Sequence, residues 1–295
     1  MTPRLSCFTN AYGASGVRAA VERVGEAGIH LVELPLRGHN FGGLVIPEEA
    51  VITEKADTDT VSEFLDLMAS HGVGVSACNV GGADIRTAEG VELTERRLFF
   101  AARHFAPPIA VSGAGQPADA DERRLVIANL RRLGDVAGEL GLTLALETHK
   151  GPTQNADAML ALMGELNHPS IRLNFDTGNI AYYNEGADPV AELEKVAPLV
   201  ANVHLKDNRG RSEDWFFPAF GDGGAVDCLA IRGVLDRAGY KGVYTIEIEG
   251  IGGEPDPGLE GRHDRVRRSV QYLRARGFLE EGEVKDSLPP SERPK

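Results

Sequence analysis

Four polar residues in the chain suggest shared chemistry. Glu147 lies in "LETHKG", Asp176 in "NFDTGN", His204 in "VHLKD" and Glu247 in "TIEIEG", at intervals of 29, 28 and 43 residues. Each belongs to a short run in which apolar and polar residues alternate. Leu142, Leu144 and Leu146 oppose Thr143, Ala145, Glu147 and His149, and Ile171, Leu173 and Phe175 oppose Asp176. Val203 and Leu205 oppose Asn202, His204 and Lys206; Tyr244, Ile246 and Ile248 oppose Thr245, Glu247 and Glu249. A side-chain period of two puts the apolar set against surrounding helices and the polar set on the inner face, near the ends of successive strands. Carboxylates are poor strand formers and costly inside unless paired, hydrogen-bonded or bound to a cation. Three of them converging would raise each other's pKa, a penalty that a divalent cation removes. Three carboxylates and one imidazole suit Mn²⁺, Mg²⁺, Co²⁺ or Zn²⁺, with Mn²⁺ expected first.

Taken singly, each residue has a plainer reading. Glu147 can pair with Lys150 or Arg172, and Asp176 before "TGN" can cap a helix. A lone His204 is more often a satisfied core histidine, and Glu247 or Glu249 can be an exposed charge at a strand end. It is the common phase of the set that favours a metal site.

Eight apolar runs have strand character: "RLSCFT", "IHLVELPL", "VGVSACNV", "PIAVSG", "LTLALETH", "IRLNFD", "VANVHLKD" and "VYTIEIEG". Stretches of helical spacing separate them. Val17, Ala20, Val21 and Val24 form one stripe; Leu125, Ile127, Leu130, Leu133, Val136, Ala137 and Leu140 a second; Val190, Leu193, Val196 and Ala197 a third. Several helices end in Gly just before the next strand, as in "EAG-I" and "RAG-Y". Eight such units of about 37 residues predict an α/β fold, a single (β/α)8 TIM barrel over residues 1–280. An open doubly wound sheet usually carries a Gly-rich phosphate loop after an early strand, and none is present. Residues 281–295, with three prolines and few apolar side chains, read as a disordered C-terminal tail. Two long connections, 35–60 and 207–225, belong on the C-terminal face, where barrel active sites lie. The second holds Trp215, Phe216, Phe217 and Phe220, a substrate lid, a hydrophobic plug or a subunit contact.

The net charge of −13 argues against nucleic-acid or anionic-membrane partners. Three scattered cysteines, an N-terminus without an apolar signal core and no long apolar run predict a cytoplasmic protein.

"LETHKG", "NFDTGN", "VHLKD" and "GVYTIEIEG" resemble the strand-5 to strand-8 signatures of the xylose-isomerase-like sugar isomerase/epimerase superfamily. "GIHLVEL" resembles its strand-2 segment, with Glu33 at the matching acid. The resemblance covers residues 4–278 and implies a metal held by Glu147, Asp176, His204 and Glu247, with Glu247 preferred to Glu249. It implies an isomerase or epimerase of a sugar, cyclitol or related hydroxy-ketone, acting by proton abstraction α to a metal-bound carbonyl through an enediolate. Of Glu147 and Glu247 one would serve as base and the other as acid; His149, Lys206 and Trp215 would bind the substrate, and Glu33 would bind its hydroxyls or orient a neighbouring side chain. The alternative is a dehydratase or lyase on a keto-sugar, inosose or glycoside. A nuclease of the same superfamily would need more histidines, and a non-catalytic binding subunit would not keep all four ligands. The expected partner is a small polyhydroxylated substrate, with a dimer or tetramer as the assembly. Two positions depart from the family pattern. Asn179 stands where many relatives have His, and Gly210, between Arg209 and Arg211, where they often have Arg.

Overall fold

In a computed structural model that describes residues 3–279, each of the eight predicted runs forms a strand of one closed parallel barrel. The strands are β1 (Arg4–Phe8), β2 (Leu31–Pro35), β3 (Gly74–Asn79), β4 (Ile109–Ser112), β5 (Thr143–Glu147), β6 (Ile171–Asp176), β7 (Val200–Lys206) and β8 (Val243–Glu247). They pair in sequence order, and β1 closes on β8 through Arg4 opposite Val243. Helices α1 (Gly16–Val24), α2 (Thr58–Ser70), α3 (Ala88–His104), α4 (Ala120–Glu139), α5 (Ala156–Leu166), α6 (Thr177–Tyr183), α7 (Pro189–Val196), α8 (Cys228–Ala238) and α9 (Gly258–Ala275) fill the connections. The tail expected over 281–295 lies outside the described residues.

The outward strand face builds the core. Leu144, Leu146, Ile171, Leu173, Phe175, Val203, Leu205 and Ile246 are buried against helical stripes such as Val17, Ala20, Val21 and Val24. The α4 stripe is turned from its predicted position. Val126, Ile127, Leu130, Leu133 and Ala137 are buried, whereas Leu125 is 45% exposed. Gly134 fixes that rotation, because a Cβ there would lie 2.7 Å from Ile171 Cγ1. Side-chain caps start most of these helices, including Asp57, Thr87, Asp119, Asn155, Asp188 and Asp227. Gly28 and Gly239 adopt the left-handed conformation that ends the helical turns before β2 and β8.

The barrel interior is polar for much of its depth. Ser6 Oγ meets Ser76 Oγ at 2.7 Å, and Asn202 Nδ2 donates to Asn174 Oδ1 and Glu33 Oε2. Two bulges set this lining. Ser76 is an extra residue in β3 opposite Val32 and Glu33, and Ala201 an extra residue in β7 opposite Leu173 and Asn174. A bulge re-aims the residues that follow it, here bringing Asn202, His204 and Lys206 into the barrel.

Both long connections cover the C-terminal mouth. The first carries an antiparallel ribbon, His39–Phe41 against Leu44–Ile46. In the second, Phe216–Phe217 pairs antiparallel with Gly250–Ile251 beyond β8. Phe216, Phe217 and Phe220 are buried, as the plug reading of that aromatic run expects.

Candidate metal centre

Parallel pairing puts the ends of β5 to β8 side by side: Asp176 is opposite His204, Thr245 opposite His204 and Glu247 opposite Lys206. Glu147, Asp176, His204 and Glu247 thereby converge, all buried, each offering a donor atom within 4.8 Å of the others. His204 Nδ1 lies 3.1 Å from Glu147 Oε1, 3.0 Å from Glu247 Oε2 and 4.0 Å from Asp176 Oδ2.

Each ligand candidate is held from behind. Asp176 is both of the things its sequence suggested. Its Oδ1 accepts from the Gly178 and Asn179 amides at 2.9 Å and caps α6, while Oδ2 accepts no hydrogen bond and faces the cluster. Glu247 Oε1 accepts from Asn10 Nδ2 at 2.7 Å, leaving Oε2 without an aligned donor. Glu33 sits fully buried beneath His204, its oxygens 3.0 and 3.1 Å from Nε2. Of its two expected roles, binding substrate hydroxyls or orienting a neighbour, its place matches the second: a carboxylate that fixes a ligating ring and leaves Nδ1 for a cation.

Burial and crowding shift the titrations of the metal-free cluster. Burial pushes Asp176 up to about 7 against the pull of Lys206. Burial likewise raises Glu33. For Glu147 and Glu247 burial also opposes charge, but neighbouring cations prevail. His149 and His204 hold Glu147 well below the usual range, and Lys206 and His204 bring Glu247 down to about 2. Two buried carboxylate oxygens that lack hydrogen-bond donors and surround one ring nitrogen are the arrangement a divalent cation satisfies. The residues present fit such an ion.

A cavity of about 490 Å³ opens above the cluster, lined by Glu147, His149, Lys206, Asn179, Glu247 and Glu249 among others. His149 Nδ1 meets the Tyr183 hydroxyl at 3.0 Å, and its Nε2 lies 3.4 Å from Glu147 Oε2. Burial disfavours the imidazolium, yet the Glu147 carboxylate outweighs that and raises its pKa. Lys206 Nζ is 2.6 Å from Glu249, 3.5 Å from Asp176 and 3.6 Å from Glu247, and stacks 4.2 Å over the Phe217 ring. Burial opposes its charge too, but the three carboxylates raise its pKa well above the ordinary value. Asn179 accepts from Lys206 Nζ at 3.3 Å and donates to the Thr148 carbonyl.

Trp215 does not reach the cavity lining. Its ring packs edge-on against Phe41 at 4.7 Å and Phe217 at 5.1 Å, and braces the ribbon from behind. The lining also includes residues that strands 5 to 8 could not reveal: Asn10, Arg37, His39 and Asn79. Asn10 lies two residues past the end of β1, in the 3-10 helix Thr9–Ser15. Arg37 and His39 lie beyond the end of β2, where strand phase no longer applies.

The family model described as xylose isomerase-like TIM barrel matches residues 21–276. The chain is similar to an inosose dehydratase of Geobacillus thermodenitrificans, with 30% identity over 170 residues, 52% of this chain and 54% of that relative. It thus spans about half the length of that protein. An inosose dehydratase of Erwinia tasmaniensis is 29% identical over 240 residues, 75% of this chain and 72% of the relative. Among solved structures, a xylose isomerase-like TIM barrel protein from Mycobacterium smegmatis in complex with magnesium superposes with a TM-score of 0.69. It shares 18% identity, over 93% of this chain and 97% of that one.

Proposed function

The chain belongs to the xylose isomerase-like TIM barrel family, and from that premise we propose that it is a divalent-metal-dependent enzyme that removes the proton α to the carbonyl of a polyhydroxylated ketone. The observation that carries this reading is the buried set of Glu147, Asp176, His204 and Glu247 at the floor of a cavity, with a proton-carrying pair beside it. Those four residues would hold the ion, with Mn²⁺ or Mg²⁺ suited to three oxygens and one nitrogen. When bound, such an ion supplies Lewis-acid polarisation of a substrate oxygen.

The chain's own groups handle the protons. Glu147 presents Oε2 to His149 Nε2, so the ring, once its imidazolium form has donated a proton, can take up the one that the carboxylate removed. Tyr183 fixes that ring through Nδ1. Against the effect of burial, the Glu147 carboxylate raises the pKa of His149 and so favours the imidazolium, the form that can donate to a departing β-hydroxyl. Lys206 stays charged and supplies positive potential along the cavity wall. This division of roles describes a dehydratase, the activity named for the sequence relatives. Isomerisation or epimerisation is the second reading. It is favoured by Glu247 Oε2, a second carboxylate oxygen with no aligned donor that faces the same volume and can return a proton from another direction. Three free, buried cysteines support a reducing, cytoplasmic setting.

Incubation of Mn²⁺-loaded protein with inososes, ketoses and carboxylated or phosphorylated polyhydroxy-ketones in D₂O, followed by NMR, tests the proposal. Deuterium enters at the carbon α to the carbonyl. Loss of water with a new enone absorbance marks the dehydratase, and inversion without loss marks the epimerase. Absence of exchange with every polyhydroxylated ketone would defeat the reading, as would exchange that persists in Glu147→Gln.

A further inference from the structure

The cavity wall formed by the segments after β2 and β3 carries a cation that the proton chemistry above does not use. Arg37, in "LPLRGHN", lines the cavity with Asn79, Gly81 and Gly82. Among the described residues its guanidinium has no hydrogen-bond or ion-pair partner, and its Nε is buried. The other cations of the lining are accounted for. Arg86 is ion-paired to Asp84 at 2.9 Å and Glu122 at 3.2 Å, Lys206 is held by Glu249, and Lys150 is exposed at the rim.

The place of Arg37 is built by its surroundings. Gly82 has φ +89°, and a Cβ there would lie 2.1 Å from Arg37 Nε and 2.3 Å from Cζ. A side chain at 82 would push the guanidinium out of this place, and the positive φ itself favours glycine. His39, two positions on, also presents a buried Nδ1 without a partner. Burial and the Arg37 charge push its pKa down to about 4, so the ring is neutral and cannot repel an anion-binding cation beside it. Arg97 adds like charge nearby, while its own guanidinium is taken by Glu54 and the carbonyls of Val80 and Gly81. A half-buried guanidinium whose Nε is buried without a partner is completed by a ligand, and its planar fork matches an oxyanion.

We propose that Arg37 anchors an oxyanion on the substrate, so that the ketone handled here carries a carboxylate or phosphate and is not a neutral ketose or cyclitol. The proposal rests on the reading of this cavity as the substrate site, and it sets this chain apart from a site built for an uncharged ring.

Calorimetric titration of the full-length protein, with and without Mn²⁺, against three polyhydroxylated rings tests it. Quinate carries a carboxylate, myo-inositol 1-phosphate a phosphate ester and myo-inositol neither. At least one anionic ring binds about 10- to 100-fold more tightly than myo-inositol, the range expected of hydrogen bonds to a charged group. Arg37→Gln abolishes the difference, and Arg37→Lys restores part of it. Circular dichroism of Arg37→Gln checks that the barrel is intact. The stronger of the two anions names the substrate class. Equal affinities, no binding of either anion, or a preference that survives Arg37→Gln overturns the proposal. Because the readout is binding and not turnover, a failed deuterium exchange defeats the catalytic reading alone.

Discussion

Asp176 divides its labour between its two oxygens, and the division can be tested by substitution. Oδ1 caps α6 and Oδ2 faces the cluster. Asp176→Asn keeps an acceptor for the cap but removes the charge, so it should lose divalent-ion retention while the metal-free protein melts within a few degrees of the parent. Asp176→Ala loses the cap as well, at about 1 kcal/mol. Metal content by mass spectrometry and melting of both variants would show this, and equal melting losses would disprove it. Glu33 offers the complementary case. Its carboxylate holds the far nitrogen of the His204 ring, so Glu33→Gln should weaken ion binding by about 10- to 100-fold without abolishing it. A titration with Mn²⁺ that is unchanged in this variant would remove the orienting role. The convergence of the four ligand candidates was legible in the sequence because all four obey one alternation rule on neighbouring strands. Glu33 obeys it too, but alternation gives only the face of a residue and not its depth. Whether it meets substrate or props a histidine depends on how far down β2 it sits.

The segments over the barrel mouth illustrate what elements decide. Trp215 was expected in the substrate's path and instead clamps the His39–Ile46 ribbon through Phe41 and the close approach of Gly42, where a Cβ would lie 2.1 Å from the ring. Trp215→Ala should free that ribbon, speeding proteolysis within it and raising KM while helix content is kept. Cleavage no faster than in the parent would show that the ribbon stands without the clamp. The second connection has a built-in pH response at Asp207, whose Oδ1 accepts from the Asn208 and Val226 amides. Burial raises this carboxyl from 3.8 to about 6. A carboxyl whose folded pKa lies above its unfolded value favours the folded state when protonated. Its contribution therefore fades as pH rises from about 4 through about 6. Asp207→Asn keeps the acceptor without the ionisation. Its melting temperature relative to the parent should be higher at pH 7.5 than at pH 4.5, and a pH-independent difference would contradict this. Neither feature was readable in advance, since loop contacts follow no period. The bulges at Ser76 and Ala201 were hidden for a related reason: an extra residue in a strand carries no local signature, yet it sets the phase of everything after it.

At the scale of the whole molecule, the barrel assembles a site that no short segment contains. β5 to β8 each bring one ligand candidate, while the turn after β1 contributes Asn10 behind Glu247 and β2 contributes Glu33 behind His204. The polar interior reaches deep into the barrel, so repulsion among the ligand carboxylates bears on the stability of the closed sheet as well as on the chemistry. A cation bound only by the folded barrel must then stabilise the entire domain. At 100 times its dissociation constant that linkage is worth about 2.7 kcal/mol, independent of where on the protein the unfolding is observed. For a domain of this size the corresponding rise in melting temperature is roughly 5 °C or more. Scanning calorimetry across a Mn²⁺ series should show one transition that moves up with the logarithm of ion concentration. Glu147→Gln and Glu247→Gln should each flatten that dependence, while a distant surface change such as Arg124→Ala should leave it intact. A melting temperature indifferent to Mn²⁺, Mg²⁺, Co²⁺ and Zn²⁺ would mean that Lys206 and His204 already neutralise the cluster, and that the four residues form a buried ion network and not a metal site.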